Sequence, residues 1–549
     1  MASSTNTKSP SKEAQTSFPV FQGAWHSVLD ASDFLARFPT EIFKDYVVNK
    51  RWYGGKVSTI KSVDVLDQIH LSSDLHNYYG LLIEVNFEES FVQNYFLTVG
   101  FMLENEFKEP DALIGEAEFE EGRGYLVDAV FIEDFRKTWF EFVVGGRINE
   151  QQNMLFHCNS GIKNETYVNS KFIGAEQSNT SIIYNDKYVM KFFRRIFIGM
   201  NPDYQVSRFL TKQQGFLGIP AYQGGVNMKH FSKHITLGLM QNLVPNKGDA
   251  WAYFNDMLKQ AYINLEHKKV DISRLPSIPM FQHVNLQQIP HEFVDFVGLE
   301  FFLKVRLLAE RTADLHIALG SNREETNFTS TTFNEDYSVW LKNRLIYQVQ
   351  NRLNAIENNM EKLEGEAKVL AEEFLNKKKA IRNFFLDFDW NDLKGERIRI
   401  HGDYHLGQIL VTDGDFIIID FEGEPESTIR DRKIKQPPLK DMAGLFRSYH
   451  YALFASILNN KDVLNYQTEH LFEAGEKLFT YIVGLSLQAY FEKIYAYGKL
   501  NLGYRSEQEF ILMYHLTEKA VYELGYELNS RPDWAIIPLK GINSIMKQL

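Results

Sequence analysis

The sequence predicts an α+β fold in two lobes, and three observations predict it. Up to about Gly248 the chain reads as short strands and turns. Beyond that point apolar residues recur every three or four positions, as amphipathic helices require. One short stretch, Arg397 to Glu422, interrupts the helical half with strand-forming runs. A β-rich half followed by a helical half with one buried hairpin is an α+β arrangement.

The 549 residues leave space for about three or four compact units at about 150 residues each. Hydrophobic residues make up 44% and charged residues 24%, enough for a substantial core. The net charge of −12 argues against a binder of phosphate backbones, so no nucleic-acid partner is expected. Cys158 is the only cysteine, which excludes an intrachain disulfide and a cysteine-based zinc site. Aromatics reach 14%; most belong in the core, where large rings bury the most area, and some can serve as sugar platforms.

In chain order, residues 1–17 are rich in Ser, Thr and Lys without an apolar core, so they read as a solvated tail rather than a secretory signal. Residues 18–130 form a first unit with alternations such as Ser62-Val63-Asp64-Val65-Leu66, and the acidic run Glu104 to Glu121 reads as a solvated face. Residues 131–247 are β-rich, and 248–549 are helical apart from the hairpin. Leu345, Val349, Leu353, Ile356, Met360, Leu363, Ala367, Leu370 and Phe374 predict one long amphipathic helix. Leu478 to Phe491 is the longest uncharged apolar stretch. It is too short to cross a bilayer and predicts a buried helix in a cytoplasmic protein without membrane contact.

The chemistry concentrates between His401 and Glu422. Asp413-Gly414 between two apolar runs predicts a hairpin pairing Val411 with Phe416 and Ile409 with Ile418. That register brings Gln408 and Asp420 to one open end, with Glu422 two residues further on the same face. Two carboxylates and an amide oxygen make a hard, oxygen-rich site of the kind Mg²⁺ takes together with phosphate oxygens. Asp403, in the loop before the first strand, is placed to accept a proton from a substrate hydroxyl. A catalytic-loop Asp, an amide five residues later and a strand-end Asp are arranged as in kinases.

A kinase also needs a cation on the nucleotide phosphates. Ser181–Tyr184 and Lys187–Phe193 flank Asn185-Asp186, a second hairpin signal. A two-residue turn there pairs Ser181 with Met190 and sets Thr180 opposite Lys191. The preceding loop, Gln177-Ser178-Asn179-Thr180, is small and polar and can cover phosphates, although it holds no glycine.

The run His401–Glu422 strongly resembles the maltokinase family, whose members make maltose 1-phosphate. Other matching segments lie in order along the chain: Arg51–Lys56, Glu176–Ser181 with Lys191, Asn201-Pro202-Asp203 and Val244-Pro245-Asn246. Arg311–His316, Pro438–Asp441 and Arg531–Trp534 follow. The resemblance implies a bilobal protein-kinase-like fold of the aminoglycoside-phosphotransferase type, with an extra N-terminal cap. It also implies ATP and Mg²⁺ as cofactors, maltose as acceptor and trehalose synthase as a functional partner, though the chain shows no signature of that second enzyme.

By the same resemblance, Asp403 is the catalytic base, and Gln408, Asp420 and Glu422 hold Mg²⁺. Lys191 neutralises the nucleotide phosphates, and the backbone from Gln241 to Val244 meets adenine. Asp441 supports the catalytic loop, or alternatively caps a helix after Pro437-Pro438-Leu439. Glu523 and Glu527 sit four apart on one helix face. With Tyr522 they are the implied sugar-binding group, and His405 reaches the acceptor from the loop. Gln205 stands where the family pattern leads one to expect a glutamate paired to the strand lysine; an amide bonds Lys191 without charge, which leaves Asp203 as another partner. Two alternatives stay open: a kinase of the same fold acting on another sugar such as glucosamine, and a catalytically silent binder supported by Gln205. A glycoside hydrolase built on Asp420 and Glu422 fails, since residues two apart on one strand cannot flank a glycosidic bond.

Overall fold

The computed structural model describes residues 18–146, 148–149, 153–174, 179–268, 271–425, 427–464 and 468–548. The tail of residues 1–17 and the loop residues Gln177 and Ser178 lie outside them. The chain divides into two compact units, residues 1–201 with 222–243, and residues 202–221 with 244–549. No helix among the described residues is long and apolar enough to cross a membrane.

The first unit holds two antiparallel sheets. One contains β1 (Ile60–Ser72), β2 (Asn77–Phe87), β3 (Val92–Leu103), β4 (Leu113–Phe119) and β5 (Gly122–Asp128), in the order β1-β2-β3-β5-β4. β2 and β3 are buried on both faces, and the side-chain period of two sorts their residues. Odd positions, including Tyr79, Leu81, Ile83, Leu97 and Val99, pack under Phe21, Trp25, Phe34 and Phe38 from the N-terminal segment, which includes α1 (Ser32–Arg37) and α2 (Lys44–Val47). Even positions face the other way. Tyr78 and Phe96 meet Phe135 and Trp139 of α3 (Glu133–Gly145). The acids of the Glu104–Glu121 run stay at least partly exposed, while Ile114, Ala117 and Phe119 between them are buried in β4.

The second sheet contains β6 (Ile148–Asn149), β7 (Met154–Cys158), β8 (Ser170–Phe172), β9 (Asn179–Tyr184), β10 (Tyr188–Phe193), β12 (Tyr222–His230) and β13 (Lys233–Asn242). A short β11 (Arg195–Ile196) pairs with β3 of the first sheet. The order is β6-β7-β12-β13-β10-β9-β8, so β10 lies inside the sheet rather than at an edge. The β9–β10 register differs by one from the expected one. Tyr184 pairs with Tyr188, and Lys191 pairs with Ser181 instead of Thr180. The physical reason is a three-residue turn. Asn185 and Asp186 both adopt positive φ, and Lys187 N–H donates to Tyr184 O at 3.0 Å, so one more residue enters the loop.

A fully buried ion pair joins the two sheets of this unit. Arg194 meets Asp128 at 2.7 Å and donates from Nε to the Thr180 hydroxyl at 2.9 Å, while Thr98 and Tyr46 donate to the same carboxylate. Removing one partner of such a pair strands the other charge in the core, at a cost of about 3–5 kcal/mol.

The second unit is helical. Its helices are α4 (Pro202–Lys212), α5 (Ala250–Lys268), α6 (His291–Val297), α7 (Leu299–Gly320), α8 (Glu335–Glu357), α9 (Gly365–Asp387), α10 (Leu439–Leu458), α11 (Thr468–Tyr497), α12 (Arg505–Ser530) and α13 (Ile536–Met546). The predicted single helix from Leu345 to Phe374 is two helices, α8 and α9. The break falls at Asn358-Asn359, where α8 ends, and Gly365 at φ +52° opens α9. The apolar spacing continued through the break because Met360 and Leu363 pack on the same core. Leu478–Phe491 lies inside α11, largely buried, as the apolar run predicts.

Two short strand pairs interrupt the helices. β14 (Thr331–Thr332) pairs with β15 (Glu396–Arg397), so strand residues also occur before the predicted stretch. β16 (Ile409–Val411) pairs with β17 (Phe416–Ile418). Helix α7 packs on α11, and α10 packs on α5 and α12, so the β16–β17 hairpin sits on a helical core.

Candidate active site

The hairpin has the expected register. Ile409 pairs with Ile418 and Val411 with Phe416, and Ile419 N–H donates to Gln408 O at 3.0 Å. Asp420 follows with φ +67°, a conformation that costs a non-glycine residue energy and that surrounding contacts must hold. Gln408 Nε2 donates to Asp420 Oδ2 at 3.1 Å, and Phe421 N–H donates to Asp203 Oδ1 at 3.2 Å. The bend thus gathers three carboxylates. Ligand atoms of Asp203, Asp420 and Glu422 all lie within 4.8 Å of one another. A set of hard oxygens at that spacing suits a divalent cation such as Mg²⁺. Gln408 orients Asp420 beside this group. The place of Asp203 in the cluster escaped the sequence reading, since α4 is about 200 residues from the hairpin in the chain; the Asn201-Pro202-Asp203 motif was the available signal.

The loop before the hairpin is held from beneath. Asp441, in the first turn of α10, accepts His401 N–H at 2.8 Å and Gly402 N–H at 3.0 Å. Its other neighbour is His316 Nε2 at 3.1 Å, and His316 Nδ1 meets the Tyr490 hydroxyl at 2.8 Å. Pro438 rather than Asp441 occupies the helix cap. Burial opposes the Asp441 charge, and the His316 hydrogen bond with the other contacts more than offsets it, so its pKa lies below the ordinary value. On the same helix as His316, the Thr312 hydroxyl meets the Tyr404 hydroxyl at 2.9 Å, and Arg311 grips Asp415 at the hairpin tip at 2.7 Å. Gly444 lets α10 approach closely, because a Cβ there would lie 2.6 Å from Tyr404 O.

Above this support Asp403 lines a cavity of about 600 Å³, with His405, Arg344, Glu424, Glu518, Lys519 and Tyr522 also in its wall. Lys519 Nζ lies 3.3 Å from Asp403 Oδ1. Burial alone would raise the Asp403 pKa, but Lys519, His405 and His401 together hold it below the ordinary carboxyl value. His405 is shifted down, by burial first, against the pull of Asp403. Its Nδ1 accepts Gly407 N–H at 3.1 Å, which aims the ring. Lys519 was absent from the sequence reading; a lone lysine on a helix carries no pattern.

The remaining expected residues lie as follows. Tyr522 lines the cavity, whereas Glu523 and Glu527 do not. Glu523 takes two hydrogen bonds from Arg447, at 2.6 and 2.9 Å, and Glu527 pairs with Arg531 and accepts from Tyr451. Lys191 is on interior strand β10, Asn179 and Thr180 open β9, and Thr180 is buried against Arg194. Gln241 lies near the end of β13, and Val244 begins the next stretch of the helical unit. Gln205 is on α4, with Oε1 buried and no hydrogen-bond partner among the described residues.

Residues 46–131 match the family model of the maltokinase N-terminal cap domain. A glucosamine kinase of Streptacidiphilus jiangxiensis is 35% identical over 66 residues, a stretch that is 12% of this chain and 15% of that protein, so the matched part is far less than two thirds of the relative. A solved glucosamine kinase, in complex with glucosamine, ADP and inorganic phosphate, aligns with a TM-score of 0.60 at 14% identity, covering 91% of this chain and 98% of that one. Its crystal form A aligns with the same TM-score at 14% identity, covering 93% and 100%. The structural likeness shows that the chain has the α+β fold of those glucosamine kinase structures, and residues 46–131 form a cap domain of the maltokinase type.

Proposed function

We propose that the protein is an ATP-dependent sugar kinase that transfers the γ-phosphoryl group of ATP to the anomeric hydroxyl of maltose, giving maltose 1-phosphate and ADP. The observation that carries this reading is Asp403. Its carboxylate is kept charged by Lys519 in the wall of a cavity large enough for a sugar, and the Asp203–Asp420–Glu422 cluster belongs to the same unit.

A sugar hydroxyl is a poor nucleophile at neutral pH, so the site must align it and take its proton. Asp403 accepts that proton as the acceptor oxygen bonds to the γ-phosphorus and the bond from phosphorus to the ADP oxygen breaks. The backbone amides that Asp441 holds fix the loop carrying Asp403. Asp203, Asp420 and Glu422 would hold Mg²⁺, which when bound offsets charge on the phosphate oxygens. Lys191, with Asn179 and Thr180, serves the nucleotide phosphates in this reading, Gln241 to Val244 the adenine, and His405 and Tyr522 the acceptor. The setting is cytoplasmic α-glucan and trehalose metabolism, with trehalose synthase as functional partner.

ADP release from Mg-ATP with a panel of sugars tests the proposal. Maltose should support the highest kcat/KM; a preference for glucosamine would replace it with the second reading, which the 66-residue match to a glucosamine kinase favours. A silent binder, for which the orphaned Gln205 oxygen speaks, would show thermal shifts with Mg-ATP or maltose but no ADP release.

A further inference from the structure

The stretch between β15 and His401 carries a charge that the proposed phosphoryl transfer does not use. Arg399 is only 2% exposed, and its Nε is buried without a hydrogen-bond partner. Among the described residues its guanidinium makes no hydrogen bond and no ion pair; the nearest favourable contact is the Phe328 ring, 5.7 Å away. An uncompensated buried cation is among the costliest features a fold can keep.

Its surroundings add positive charge. Ile398 and Gln436 form an antiparallel bridge, exchanging hydrogen bonds of 3.0 and 2.8 Å. The bridge sets Arg399 directly across from Lys435, with both side chains on one face of the ribbon. Lys435 donates to Thr326 O at 2.7 Å. The ammonium of Lys433, two residues earlier, has no hydrogen bond or ion pair among the described residues. None of the three cations pairs with a carboxylate among the described residues. They also act on one another. Lys433 is pushed down to about 8 by burial and then by Arg399, and Lys435 is lowered by burial, Arg399 and Arg397.

We propose that Arg399, Lys433 and Lys435 form a binding site for a phosphate-class oxyanion, separate from the phosphoryl-transfer site. A tetrahedral oxyanion offers several acceptors to a guanidinium fork and two ammonium groups, and charge-assisted bonds of this kind are the strong ones. Bound there, it fastens the segment that follows Glu422 to the stretch that leads into His401. The site therefore links anion supply to the order of the catalytic loop.

Thermal unfolding at fixed ionic strength, with saturating Mg-ADP to fill the nucleotide site, tests this. Inorganic phosphate is the probe, sulfate a second oxyanion and chloride the control. Wild-type protein should gain melting temperature with millimolar phosphate beyond the chloride control, by mass action on the folded state. Lys433→Gln, at a partly exposed position, should lose most of that gain while keeping its response to Mg-ADP. Arg399→Met should lose it too, and in phosphate-free buffer it should melt at or above the wild-type temperature, because an uncompensated cation has been removed. A wild-type protein indifferent to phosphate, or a gain that survives in Lys433→Gln, would overturn the proposal. Arg399→Met melting well below wild type without phosphate would do so as well, since the guanidinium would then be compensated from within the fold.

Discussion

The ammonium of Lys519 stands 3.3 Å from the carboxylate of Asp403, joining helix α12 to a loop 116 residues earlier in the chain. Without that ammonium, burial would push the carboxyl up; with it and the two histidines, the carboxyl stays below its ordinary value. In its proposed role as base, Asp403 works only when deprotonated. Activity is therefore present above its depressed pKa and is lost as pH falls through it, below the usual Asp value of about 4. Lys519→Met leaves burial opposed only by the histidines, so the acid limb of the kcat/KM profile should move to higher pH. An acid limb that stays where it was would separate Lys519 from the charge of Asp403.

Asp403→Asn keeps the shape and removes the proton acceptor. The expected result is a fall in kcat of about 10²–10⁴-fold, the usual range for a general base, with the KM for ATP little changed. Near-full turnover in this variant would take the base role away from Asp403.

The β16–β17 hairpin was legible because Asp413-Gly414 specifies a tight turn locally, and the turn then sets every pair up to Gln408 and Ile419. Asn185-Asp186 is a weaker specification, and a third turn residue slipped the β9–β10 register by one. The apolar spacing from Leu345 to Phe374 hid a helix break, since a period of three to four persists when two successive helices pack on one core. Glu523 and Glu527 do share a helix face, as their spacing requires. That spacing says nothing about what opposes the face, and α10 opposes it with Arg447 and Tyr451. The third carboxylate of the cluster, Asp203, was beyond any local pattern because only the tertiary fold brings α4 to the bend after β17.

The support under the catalytic loop predicts a split between turnover and binding. His316→Leu removes one hydrogen bond from the buried Asp441 carboxylate, and bonds to charged groups contribute about 1.5–3 kcal/mol. Chemical denaturation should show a loss of that size. Asp403 sits two residues beyond the amide that His401 gives to Asp441, so kcat should fall while the KM values for both substrates change little. Thr312→Val should act the same way more weakly through Tyr404, and Thr312→Ser should restore the loss. Equal changes in kcat and KM would point to general disorder of the unit instead.

Arg352 and Gly525 give the last prediction. A glycine inside a helix costs about 1 kcal/mol relative to alanine, yet α12 keeps one at Gly525, where an added Cβ would lie 2.4 Å from the Arg352 guanidinium. The Arg352 guanidinium makes no hydrogen bond or ion pair among the described residues and stands 5.9 Å from the Tyr522 ring centre. Arg352 and Tyr522 line the cavity, together with Tyr347 and Tyr526, residues that are 69% and 58% exposed. Exposed rings beside five unused donors are suited to the outer ring of a two-ring sugar, with the rings covering apolar faces and the guanidinium bonding hydroxyl oxygens. Arg352→Ala should raise the KM for maltose about tenfold, which corresponds to one charge-assisted hydrogen bond of about 1.4 kcal/mol, and leave the KM for ATP unchanged. Gly525→Ala should raise the maltose KM in the same direction by displacing the guanidinium, while the melting temperature holds or rises because alanine favours the helix. On this reading a one-ring acceptor should not reach these groups, so its KM should be the same in both variants and the wild type. Equal KM increases for one-ring and two-ring acceptors would show that Arg352 shapes the whole cavity rather than its outer end.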